Sequence, residues 1–168
     1  GLRGQVAGKT ALSTVGQSGS GLTYRGYDVK DLAATCQFEE VAYLILKGSL
    51  PTQTELDAYK TKLKGLRSLP SALKEVLERI PANAHPMDVL RTGCSMLGNL
   101  ETEVEFSQQD QVTDRMLACF QSIMCYWYRF SHDGSRIDVE TDDDSIGAHF
   151  LHMLHGEKPE ELHEQVMH

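Results

Sequence analysis

The chain of 168 residues has no apolar run near the ~18 residues that a membrane-spanning helix needs. Its longest such run, residues 41–46, stops at Lys47 and Gly48. Cysteine is scarce: Cys36, Cys94, Cys119 and Cys125 form no Cys-x-x-Cys pair and fall in apolar helical patterns. That density argues against a disulfide framework. The four read as buried free thiols, which fits a reducing, cytoplasmic compartment. Basic charge is also short. The net charge of −8 speaks against nucleic-acid binding, which relies on a basic patch to neutralise phosphates. The densest basic stretch, residues 60–67, reads as the solvated face of one helix. A few placed cations can still serve an anionic small molecule.

Motifs with known mechanics are missing as well. No Gly-x-Ser-x-Gly occurs. Gly8-Lys9-Thr10 matches the end of a phosphate loop, but Arg3 stands where the first glycine belongs, and the segment precedes a strand instead of following one. Gly16, Gly19 and Gly21 have the wrong spacing for a dinucleotide fingerprint and read as a flexible turn. There is no internal repeat and no low-complexity tract. The start, Gly1-Leu2-Arg3-Gly4, has no Met and no apolar signal core, so it reads as trimmed rather than targeted.

What is present suffices for one packed domain: hydrophobic residues make up 40% and charged residues 24%, which argues against disorder. Residues 10–15 and 22–27 are β-prone and flank a Gly/Ser tract, which predicts a hairpin. From about residue 28 helical periodicity takes over. The expected fold is therefore mainly α-helical with one N-terminal β-hairpin at about 10–27.

Helix boundaries are legible. A helix over 38–47 ends at Gly48, a left-handed cap. Thr52 and Glu55 have capping-box spacing for a helix running to about residue 66. Pro70-Ser71 opens another, and Pro86 sits in the first turn of the next. Residues 99–111 form a polar stretch that reads as a loop. The longest helix follows, at about 112–130, with Met116, Phe120, Ile123, Trp127 and Phe130 in one apolar seam flanked by Tyr126 and Tyr128. That seam must pack within the chain or across a dimer. Residues 141–145 supply acidic and hydroxyl groups to the positive end of a helix over 146–155, closed by Gly156. A last helix from Pro159 runs into Val166-Met167-His168 with no stop signal, as in a chain that ends inside a helix.

Candidate chemistry is thin. His149, His152 and His155 lie at steps of three, so the outer pair is ~120° apart on a helix and all three do not converge on a metal. They read as packed or surface histidines. Consecutive Asp142, Asp143 and Asp144 point in different directions, so helix capping explains them better than a cation site. His85, before Pro86, is either an N-cap or a site residue.

Several stretches resemble the citrate synthase family. They are Tyr24-Arg25-Gly26-Tyr27-Asp28, Phe38-Glu39-Glu40-Val41-Ala42, Gly48-Ser49-Leu50-Pro51-Thr52 and His85-Pro86-Met87-Asp88-Val89-Leu90-Arg91-Thr92-Gly93. Residues 140–146 and 149–156, with Tyr126-Trp127-Tyr128, are similar to its 2-methylcitrate synthase branch. The resemblance covers essentially the whole chain and implies the N-terminal part of a large helical domain. It also implies an enzyme condensing propionyl-CoA with oxaloacetate in propionate breakdown, with acyl-CoA as substrate and no permanently bound cofactor or metal. It further implies a homodimer through helices at about 86–100 and 112–130.

The family's catalytic Asp and His segments have no counterpart here, so no catalytic residue is carried over and this piece is expected to be inactive alone. Gln53 stands where many relatives have a substrate-binding Arg. It is the one substrate-side candidate, set against a first-turn residue facing solvent. Two rival readings stay open: a citrate synthase using acetyl-CoA, and a non-catalytic helical association module.

Overall fold

A computed structural model describes residues 4–6, 8–16 and 21–167. The chain divides into two compact units, residues 1–56 and 57–168. Three short strands, β1 (Ser13–Val15), β2 (Leu22–Tyr24) and β3 (Tyr27–Asp28), make an antiparallel sheet in the order β1-β2-β3. The expected single hairpin thus gains a third strand. The apparently continuous run 22–27 is split by a two-residue turn, in which Arg25 and Gly26 both adopt positive φ, +50° and +92°, while Tyr24 pairs with Tyr27. Such a turn matches the right-handed twist of its flanking strands. Arg25, the non-glycine member, is tied down through Nη2, which donates to Ile45 O at 2.8 Å. Residues 17–20 of the first expected turn lie outside the described residues.

The first unit continues with α1 (Val29–Thr35) and α2 (Phe38–Lys47). Asp28 Oδ1 accepts from Lys30 N to cap α1, and α2 ends at Gly48 with φ +94° as expected. The Thr52–Glu55 capping box forms in both directions at the start of α3 (Gln53–Lys64). Gly8-Lys9-Thr10 is an exposed segment leading to β1, with no helix behind it.

The second unit carries α4 (Ser71–Leu77), α5 (Pro86–Leu100), α6 (Gln109–Asp133), α7 (Ile146–His155) and α8 (Glu161–Met167). Helix α6 packs on α4, α5 and α7. The expected loop 99–111 is shorter than the polar composition suggests: α5 runs to Leu100, and a 3-10 turn, Phe106–Gln108, leads straight into α6. Polar side chains there serve as a capping box, with Gln108 Oε1 accepting from Glu105 N at 3.3 Å.

The seam of α6 is rotated from the sequence reading. Its buried face holds Cys119, Ser122, Ile123, Tyr126 and Trp127, whereas Met116, Phe120 and Phe130 are half-buried. Trp127, 2% exposed, lies in the core with Leu73, Leu77, Val89 and Leu97, and its Nε1 donates to Ile80 O at 3.2 Å. It therefore belongs to the intrachain core and not to a dimer face.

Gly93 marks the closest approach of α5 to α6. A Cβ there would lie 2.6 Å from Cγ2 of the fully buried Ile123. A β-branched side chain has little rotamer freedom to yield. Gly93→Ala is expected to destabilise by about 1–2 kcal/mol: overpacking costs about 1–3 kcal/mol and the helix propensity of alanine returns up to about 1. Thermal unfolding of Gly93→Ala beside Gly93→Ala/Ile123→Ala checks this, since the second change should recover part of the loss expected from simple addition.

Candidate functional site

The two fully buried cysteines offer no thiolate. All four are free; Cys119 and Cys125 are buried, and Cys36, at the C-cap of α1, and Cys94 are half-buried. Burial pushes the thiol of Cys119 up to about 11 and that of Cys125 up to about 12. A nucleophilic cysteine needs the opposite shift.

Four arginines act as carbonyl clamps, among them Arg67 from the basic stretch expected to be a solvated helix face. Arg67, just beyond α3 and 2% exposed, donates through Nη1 to Thr141 O (3.0 Å) and Asp143 O (2.7 Å), and through Nη2 to Ser145 O (3.4 Å). Arg115 on α6 donates to Ser68 O at 2.8 Å and holds Glu101 with two hydrogen bonds. Arg129 donates to Met153 O and Leu154 O at the C-terminal end of α7, where the helix dipole favours a cation. Arg25 does the same for Ile45. The planar guanidinium suits this work because its five N–H groups are fixed in a fork.

The 141–145 segment that Arg67 grips carries the densest polar cluster. The acidic residues there are not the cap of α7. Ser145 is: its Oγ accepts from Ala148 N at 3.0 Å and donates to Glu164 Oε1 of α8 at 2.6 Å. Asp144 pairs with Lys64 at 2.8 Å, and Lys64 also donates to Asp142 O. Asp143, buried, accepts from Thr141 Oγ1 and from His152 Nδ1 (2.8 Å). Hydrogen bonds from Thr141 and His152 outweigh its desolvation and hold its carboxyl below the usual range. The aspartates lie one to three residues before the N-cap position, which Ser145 occupies.

His149 sits at the centre, 0% exposed. Nδ1 lies 2.9 Å from Thr141 Oγ1 and Nε2 lies 3.3 Å from Ser122 Oγ on α6. Desolvation, reinforced by the Arg67 charge, lowers its pKa to about 3, so the ring is neutral. His155 is exposed on another side of α7. The three histidines therefore do not converge, and among the described residues no group of metal-binding side chains forms. His85 proves to be the N-cap of α5, its Nδ1 accepting from Met87 N at 3.2 Å. Gln53 is the exposed first residue of α3.

A cleft of about 660 Å³ opens between α5 and α6, with Cys94, Leu97 and Met116 in its wall and the Arg115–Glu101 pair at its side. Arg115 is already engaged there by carbonyls and carboxylate. These side chains hold helices and loops in place; His152, bonded through Nδ1 to Asp143, also lines a separate cavity of about 310 Å³ with Ile137, Asp138 and Met153. Among the described residues no helix is long and apolar enough to cross a membrane.

The class defined by these features is a mainly helical scaffold, built on a long central helix, whose polar residues hold loops in place. Over residues 1–168 the chain matches the family described as citrate synthase, C-terminal domain, and it belongs to the citrate synthase family. It is 77% identical over 167 residues to 2-methylcitrate synthase of Shewanella oneidensis, covering 99% of this chain and 44% of that protein. It is 37% identical to citrate synthase of Mycolicibacterium smegmatis, covering 95% of this chain and 43% of that protein. The crystal structure of citrate synthase from Thermotoga maritima superposes with a TM-score of 0.79 at 29% identity, covering 97% of this chain and 43% of that one. The chain thus spans less than half the length of these relatives.

Proposed function

We propose that the chain is part of a 2-methylcitrate synthase, the enzyme that joins propionyl-CoA, oxaloacetate and water to give 2-methylcitrate and CoA in propionate breakdown. The observation that carries this reading is the 77% identity over nearly the whole chain. Residues 1–168 then form the N-terminal part of the large helical domain. The Asp that removes a proton next to the thioester and the histidines that stabilise the enol and polarise the ketone belong to segments absent from this sequence. The piece alone is inactive on this reading, the enzyme works in the cytoplasm without a resident cofactor or metal, and Gln53 is a substrate-side candidate on it.

The enzyme is a homodimer through α5 and α6, a reading supported by the solvent-facing apolar side chains of Met87, Leu100, Val112 and Tyr128 on these two helices. Release of CoA by the full-length enzyme with oxaloacetate tests the substrate. Propionyl-CoA is expected to exceed acetyl-CoA in kcat/KM. A large preference for acetyl-CoA would make the enzyme a citrate synthase, and no turnover of either would leave a helical association module.

A further inference from the structure

The hydrogen bonds around His149 have a forced direction. The carboxylate of Asp143 is an acceptor only, so the Thr141 hydroxyl donates to it. That hydroxyl has one hydrogen, so toward His149 it can only accept, and the 2.9 Å contact requires a hydrogen on His149 Nδ1. In the neutral ring Nε2 is then an acceptor. The remaining contact, at 3.3 Å, is a donation from the Ser122 hydroxyl. At the other end, His152 Nδ1 donates to the same Asp143 oxygen that Thr141 uses.

We propose that Ser122, His149, Thr141, Asp143 and His152 form one hydrogen-bond relay polarised toward Asp143, a latch that locks α7 to α6 through an Nδ1-protonated His149. Unconstrained imidazole has no reason to choose that tautomer; here the chain Ser122→His149→Thr141→Asp143 imposes it. The charged groups acting on His149 are Arg67, Asp143 and His152; Lys64 and Glu164 reach neighbouring residues of the 141–145 segment. His152 is a third exposed and meets solvent, and its Nδ1 donates to Asp143.

The test is the ring ¹⁵N–¹H correlation pattern of His149 in the full-length protein, assigned by its disappearance in His149→Gln. The expected pattern has a protonated Nδ1 and a bare Nε2, unchanged in Thr141→Ser. In Thr141→Val, which leaves Nδ1–H without an acceptor, the hydrogen is expected to move to Nε2 and donate to Ser122. An Nε2–H pattern or a doubly protonated ring in the parent protein at neutral pH overturns the proposal, as does a Thr141→Val ring that keeps its Nδ1 hydrogen. If Thr141→Val fails to fold, the parent spectrum together with Ser122→Ala, expected to keep the Nδ1 hydrogen, still decides.

Discussion

Replacing Arg67 with leucine is expected to lower the stability of the protein by about 3 kcal/mol. Leucine has no donor, so the carbonyl oxygens of Thr141, Asp143 and Ser145 lose the guanidinium. A buried acceptor left without its donor costs about 1–3 kcal/mol. The sum of three such losses is offset in part, because the variant no longer desolvates a cation. Arg67→Lys should fall between parent and leucine variant, since one ammonium cannot reach three carbonyls along the same turn. Denaturant midpoints of the three full-length proteins check this. A leucine variant within about 0.5 kcal/mol of the parent, the range of ordinary surface substitutions, would mean that the 141–145 segment holds its shape without the clamp.

Much of the scaffold was legible because local physics dictates it. Gly48 and Gly156 end their helices in the left-handed region, the Thr52–Glu55 box forms, and Pro86 stands in the first turn of its helix. The family was legible too, from short stretches spread along the whole chain. What stayed hidden depended on contacts far apart in sequence. Arg67 lies 74 to 78 residues from the carbonyls it holds, and no local pattern tells a clamp from a solvated cation. The rotation of the α6 seam followed from packing on three helices at once, which brought Ser122 and Cys119 inside and left Phe120 at the edge. The aspartates of 142–144 had the composition of a cap, but Asp143 is bonded by Thr141 and His152 and Asp144 by Lys64, and the cap itself is Ser145. The third strand was lost for a different reason: Arg25 at positive φ is an uncommon choice for a turn, and residues on both sides of it favour strands.

Acid is expected to unfold the protein through His149 before its carboxylates matter. The ring is neutral in the folded state, with a pKa lowered from 6.5 to about 3. Between those values the unfolded state binds a proton that the folded state refuses. Stability is therefore greatest above pH 6.5 and falls as the pH drops toward 3, at up to about 1.4 kcal/mol per pH unit. Over the whole window the loss reaches about 4–5 kcal/mol, a large part of the stability of an ordinary domain. The carboxyls of Glu78, Glu101, Asp143 and Asp144 are also lowered by their partners. Their contributions are present above their unfolded pKa values, 4.5 or 3.8, and are lost only below them. The interval from pH 6.5 to 4.5 thus isolates the histidine. In it, His149→Gln is expected to be less stable at neutral pH but nearly flat with pH, whereas the parent loses about 2–3 kcal/mol. Arg67→Leu should share part of that flattening, because removing a nearby cation raises the pKa of His149. Unfolding midpoints measured at pH 7, 6, 5 and 4.5 test the account. A glutamine variant as acid-sensitive as the parent would move the proton uptake elsewhere.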